Sequence, residues 1–178
     1  MKVTPCQHKS LADIHRAPVV ILNTIDIDCS AERLFAIFED EHAWTVWGSS
    51  LEKVVWTSPK PFGVGTTRTV DMAGGITGIE EFVAWKDNEQ MAFCFTESSM
   101  PNMDAFGEDY QLEKLGDNKV RLHWTAAFWP SNSVATFFFK LLKPVMTWYL
   151  GSFLKNLKKL AEGDYQPEEA TPQIKEVS

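Results

Sequence analysis

The chain has 178 residues, 44% hydrophobic and 23% charged, with a net charge of −7. These values fit one ordinary globular domain that buries roughly two-thirds of its unfolded surface, and the negative balance argues against a nucleic-acid groove. Seven Trp and twelve Phe are heavy for this length, which suits either a bulky core or the wall of an apolar pocket.

Residues 1–17 carry no periodic pattern and read as a loosely attached N-terminal arm, without the apolar run of a signal peptide. From Val19 to Asp28 the odd positions Val19, Ile21, Asn23, Ile25 and Ile27 make one mostly apolar face, the mark of a strand. Ser30 is placed as an N-cap, and Leu34, Phe35, Ile37 and Phe38 behind it form a helical stripe. A short connector follows, bearing Trp44 and Trp47 three residues apart, a spacing that suggests they close something. Strand-like runs then come at Lys53–Trp56, Thr66–Met72, Thr77–Trp85, Gln90–Glu97, Ala105–Leu115 and Lys119–Trp129, divided by short Gly, Pro, Asn and Asp turns. Gaps this short fit antiparallel meanders rather than parallel crossovers. The last element is a long helix over Val134–Glu162, where Leu142, Met146, Tyr149, Phe153, Leu157 and Leu160 recur every three or four residues. After Gly163 the composition turns to Pro, Glu and Thr, and 163–178 is expected to be a disordered acidic tail.

Period-two reading sorts the strands into faces. Phe106, Glu108, Tyr110 and Leu112 share an inward face. Val120, Leu122, Trp124, Ala126 and Phe128 share another, as do Met91, Phe93 and Phe95. Val70 and Met72 point inward and carry Arg68 with them. In 77–85 the phase is open between Ile79, Glu81, Val83, Trp85 and Glu80, Phe82, Ala84, the former being preferred. An apolar interior that holds Arg68 and Glu108 requires the arginine to pair with a carboxylate or stay wet at a mouth.

The order of elements, with Ser30-Ala-Glu-Arg-Leu-Phe, Asp40…Trp44…Trp47, Gly63-Val-Gly65…Arg68, Glu81…Trp85 and Lys119…Trp124, resembles the SRPBCC or START-like superfamily, in its polyketide cyclase/dehydrase and lipid-transport-like branch. The resemblance spans residues 18–162 as one domain. It implies an α+β helix-grip fold: a curved antiparallel β-sheet wrapped around a long C-terminal α-helix, with two short helices after the first strand. Pro144 and the crowded Phe137–Phe139 depart from the plainer final helix of that family. The expected pocket residues are Trp44, Trp47, Arg68, Val70, Met72, Phe93, Phe95, Phe106, Glu108, Tyr110, Trp124, Met146, Tyr149 and Phe153. A ligand cavity of ~300 Å³ or more is expected if they bind a small lipophilic molecule such as a lipid, isoprenoid or polyketide. The alternatives are a cyclase or dehydratase working in the same cavity, with Arg68, Glu108 and Tyr110 assisting proton transfer, and a co-chaperone-like interaction module with a filled core.

Other chemistries find little support. No H-E-x-x-H, paired ligand spacing or cysteine cluster points to a metal, and no cofactor motif or G-x-S-x-G elbow is present. His123 falls on an outer face, His42 sits at a helix end, and His8 and His15 carry no pattern. Three widely spaced cysteines read as reduced thiols in a cytoplasmic protein. The loop Ser98–Asp104, with two methionines, suits a lid. Phe138, Leu141, Val145 and Trp148 add a second apolar face to the final helix. A homodimer contact or extra core is preferred there over membrane contact near Lys140 and Lys143.

Overall fold

A computed structural model describes residues 2–167. In chain order the elements are β1 (Thr4–Pro5), α1 (Leu11–Ile14), β2 (Val19–Ile27), α2 (Ala31–Glu39), α3 (Glu41–Trp47), β3 (Leu51–Trp56), β4 (Thr67–Met72), β5 (Ile76–Lys86), β6 (Gln90–Ser98), β7 (Met103–Gly116), β8 (Lys119–Pro130) and α4 (Ser133–Glu162). The strands form one antiparallel sheet in the order β2-β8-β7-β6-β5-β4-β3, and β1 pairs with β6. Its concave face closes over α2, α3 and the C-terminal half of α4 around a core that includes Phe38, Trp44, Trp47, Phe82, Phe93, Trp124 and Leu157. This is the helix-grip arrangement.

Local chemistry explains how the short helices are placed. Ser30 caps α2 by accepting the Arg33 amide at 3.2 Å, and Asp40 caps α3 by accepting the His42 amide at 2.9 Å. Asp40 ends one helix and starts the next, so the chain turns there without leaving the core. The tryptophan connector is thus a seven-residue helix whose buried side chains are Ala43, Trp44 and Trp47.

The structure corrects several sequence expectations. The N-terminal segment is not loosely attached. Beyond Cys94 the strands β6 and β7 part, and β1 fills the gap, with the Cys6 amide donating to Thr96 O and the Gln7 amide to Asp104 O, both at 2.8 Å. Behind it α1 lies on the convex face, where Ile14 is fully buried against Ala92 and Ala127. A β-carbon on Gly107 would meet Ile14 Cγ1 at 3.2 Å and the Phe93 carbonyl at 2.9 Å, so glycine allows the arm to lie this close. His15 Nε2 then sits 2.8 Å from Asp109, a fully buried carboxylate that also accepts from Gln90 and Gln111.

Neither uniform phase holds for β5. Gly78, Glu80 and Phe82 face inward, opposing Ser98, Phe95 and Phe93 of β6, and a bulge between Phe82 and Ala84 then turns Trp85 inward opposite Met91. A bulge advances one strand by a residue and reverses the alternation after it. Glu80, not Glu81, therefore enters the interior. On α4 the buried positions are Phe153, Leu154, Leu157 and Ala161, while Leu142 and Tyr149 of the expected stripe are exposed. The first residues of the expected tail are held in place. Arg33 donates to the carbonyls of Ala161, Gly163 and Tyr165, and the Tyr165 hydroxyl donates to Asp40 at 2.6 Å. The rest of that tail, from residue 168, lies outside the described residues.

Candidate functional site: an aromatic cavity with unpartnered donors

Between the sheet and the helices lies a cavity of about 170 Å³. Twelve of the fourteen expected pocket residues line it: Trp44, Trp47, Arg68, Val70, Met72, Phe93, Phe95, Phe106, Glu108, Tyr110, Trp124 and Phe153. Met146 and Tyr149 do not. Tyr149 is turned outward and packs edge-on against Phe153 at 4.9 Å, and Met146 packs partly buried at the core margin. Leu150 takes their place, because the wall of α4 lies one turn further along than the sequence stripe suggested. Glu80, Met100 and Phe128 also line the cavity. Met100 comes from the methionine loop. The cavity is smaller than the expected ~300 Å³. A wider depression of about 630 Å³ beside Glu32, Lys114 and Asp117 is open and polar, and the Lys114–Glu32 ion pair at 2.9 Å crosses it. It gathers no comparable set of side chains.

The cavity is made by pairing across the sheet. Arg68 on β4 stands opposite Glu80 on β5, and Glu80 opposite Phe95 on β6. Gly78 leaves room for the Phe95 ring, since a β-carbon there would lie 2.6 Å from Phe95 Cζ. On β7, Glu108 and Tyr110 are two residues apart and so share the inner face. From α3, Trp44 and Trp47 pack together over this wall, their ring centroids 4.8 Å apart and their planes tilted by 43°. Trp44 is satisfied, its indole donating to the Phe38 carbonyl at 2.7 Å. Its ring also covers Arg68, whose guanidinium carbon is 3.9 Å from the Trp44 centroid and 4.9 Å from that of Phe93.

The polar groups divide into two pairs. Arg68 Nε donates to Glu80 Oε2, and both side chains are almost fully buried. Desolvation raises the Glu80 carboxyl above its ordinary value, with Arg68 opposing the shift. Tyr110 donates its hydroxyl to Glu108 Oε2 at 2.5 Å. Burial pushes the Glu108 carboxyl up to about 8, and the Tyr110 hydrogen bond, Arg68 and the Trp124 indole only partly counter it. Glu108 is therefore mostly protonated at neutral pH. Burial, followed by the Glu108 charge, drives the Tyr110 phenol well above its ordinary value, so it stays a donor.

Among the described residues, three buried side-chain nitrogens have no hydrogen-bond partner: Arg68 Nη1, Trp47 Nε1 and Trp124 Nε1, the last leaning toward Glu108 without completing a bond. All three belong to residues of the cavity wall. Buried N–H groups left unsatisfied are costly and rare. The three belong to the wall of one small cavity, which also carries the carboxyl groups of Glu80 and Glu108. Sequence reading found Arg68 and both tryptophans but not that their donors lack partners. Glu80 was missed because the β5 bulge has no composition signal.

The class defined by this fold and cavity is the START-like, SRPBCC type. The family model for "Polyketide cyclase / dehydrase and lipid transport" matches residues 19–162, and the chain belongs to that family. Uncharacterised proteins of Mycobacterium tuberculosis and Mycobacterium bovis are 38% identical over 161 residues, covering 90% of this chain and 95% of theirs. Among solved structures, a START superfamily protein from Mycobacterium smegmatis is similar at a TM-score of 0.66 and 15% identity, over 80% of this chain and 97% of that one. A protein of Thermus thermophilus matches at 0.64 and 18%, with the same coverage. The ginseng major latex-like protein 151 of Panax ginseng matches at 0.63 and 11%, over 82% and 98%. At these identities the likeness is one of fold. Among the described residues no helix is long and apolar enough to cross a membrane.

Proposed function

We propose that the protein binds a small, mostly apolar molecule through an acceptor oxygen in the cavity between α3, α4 and the sheet. The observation that carries this reading is the set of three buried, partnerless N–H donors on one aromatic wall. An apolar cavity of ~150 Å³ admits benzene, so a site of about 170 Å³ suits one ring or a short chain rather than a whole lipid. Protonated Glu108 adds a further donor. The matching ligand is a ring-sized ketone, enone or carboxylic acid, its oxygen toward Arg68 and Trp47 and its carbon frame against Phe93, Phe106 and Phe153.

Native mass spectrometry of the freshly purified protein, followed by organic extraction, tests this directly. A stoichiometric passenger with a carbonyl or carboxyl group is the expected result. An unliganded mass, with no thermal stabilisation by acetophenone, benzoate or octanoate, overturns it.

A second reading has its own support. A carboxyl titrating near 8 beside a buried arginine matches what acid–base catalysis near neutral pH requires. In a cyclase or dehydratase, Arg68 would polarise a carbonyl while Glu108 exchanges the proton. Turnover of the extracted compound that is lost in Glu108→Gln, with binding retained, favours the enzyme over the carrier.

A further inference from the structure

The N-terminal half of α4 leaves one apolar side uncovered. Phe137, Phe138, Leu141, Val145, Trp148 and Tyr149 are 45–73% exposed, whereas single exposed apolar residues elsewhere, such as Leu22 and Val64, are isolated. Phe138, Leu141, Val145 and Trp148 follow one another at helical spacing, a stripe about 15 Å long. Contiguous exposed apolar surface of this kind marks an interaction site. The segment is not a detached arm. Phe139 packs on Phe128 at 5.5 Å, and Met146 and Leu150 pack against the core, so the stripe is presented on a supported helix.

Charge selects the partner. From Ser133 to Ala161 the helix carries Lys140, Lys143, Lys155, Lys158 and Lys159 and no carboxylate, in a chain whose net charge is −7. Lys158 is engaged with Glu162, but Lys140 and Lys143 are exposed within the same stretch of helix that bears the apolar stripe. A two-fold contact with a second copy through this face would bring two basic helix segments without carboxylates against each other, and a head-to-tail contact would propagate without closing. An anionic lipid surface accepts every feature at once. The aliphatic and phenyl groups enter the acyl boundary, Trp148 and Tyr149 sit at the headgroup level, and the lysines meet phosphate.

We infer that the stripe Phe138–Trp148 docks this protein on the surface of an anionic membrane, with α4 lying in the interfacial plane. The same helix supplies Leu150 and Phe153 to the cavity wall, so the docked face adjoins the cavity. The inference stands on exposure and charge and does not require that the cavity be occupied.

Co-sedimentation of the full chain with phosphatidylcholine vesicles, with and without phosphatidylglycerol, tests it. Binding to the anionic vesicles and far weaker binding to the neutral ones is expected. Lys140→Gln with Lys143→Gln should weaken binding about 25-fold, roughly five-fold per lysine. Leu141→Ser with Trp148→Ser should abolish it with little change in melting temperature, since both side chains lie mostly in water. Three results overturn the inference. One is no binding to anionic vesicles. Another is binding that survives the Leu141→Ser, Trp148→Ser change. The third is a dimer in sedimentation velocity that those substitutions dissociate, which would assign the face to a second copy.

Discussion

The cavity and the N-terminal half of α4 are incomplete in opposite senses. In the cavity, polar groups stand in apolar surroundings: Arg68 Nη1 and the Trp47 and Trp124 indoles are buried without acceptors. On α4, apolar groups stand in water: Phe138, Leu141 and Trp148 are more than half exposed with nothing over them. Each is unfavourable in the isolated chain, the first through lost hydration of donors and the second through exposed hydrocarbon. On the proposals made above, an oxygen-bearing ligand would relieve the first and a lipid surface the second. The comparison shows that burial and exposure carry information mainly where they disagree with the chemistry of the side chain.

The largest effect should come from the polar side of the comparison. Glu80→Ala leaves the Arg68 guanidinium buried without a counter-charge and should lower unfolding free energy by about 3–5 kcal/mol in a urea titration. Replacing both residues with apolar ones of similar size, Arg68→Met with Glu80→Leu, should restore most of that stability while removing ligand binding. If the single change is harmless, the pair is not isolated from water.

The two halves of α4 provide the next test. Leu157 is fully buried, and Leu157→Ala should cost about 2–5 kcal/mol, whereas Leu141→Ala should change stability by less than ~0.5 kcal/mol. Equal losses at both positions would mean that the N-terminal half is covered in solution.

Glu108 adds a pH dependence. Its folded-state value of about 8 lies above the ordinary 4.5, so between those values the folded protein holds a proton that the unfolded chain has released. Stability from this group is therefore greatest below about 4.5, falls as pH rises toward 8 and is level above it. Thermal melts of wild type and Glu108→Gln across this range should show the decline only in the wild type. Ligand affinity should fall over the upper part of the same window as the carboxyl donor becomes an anion.

The arm should show a smaller loss than the buried positions Glu80 and Leu157. His15→Ala removes one of three partners of buried Asp109 and should cost about 1 kcal/mol. Faster amide exchange at Cys6 and Gln7, with no change at Trp124, would show that the contact fastens the arm to the sheet.

Much of this was readable from residue order. Alternation placed Arg68, Phe93, Glu108, Tyr110 and Trp124 on the inner face, because a strand's side-chain period is two and apolar neighbours reveal the phase. Helical spacing likewise announced both apolar faces of α4. Glu80 was not readable, because a bulge resets the phase and depends on how β5 meets β6. The docked arm was hidden too, since β1 is two residues long and is defined by the gap between β6 and β7.

The sequence by itself determined the element order, the family and most of the inner face, because these follow from local periodicity, caps and turns. The tertiary structure alone decided which carboxylate meets Arg68, that three buried donors lack partners, that the cavity is about 170 Å³, and that the C-terminal half of α4 supplies core while much of the apolar surface of its N-terminal half meets water. Those properties depend on which surfaces the folded sheet reaches and which it leaves uncovered, and no local pattern along the chain records that reach.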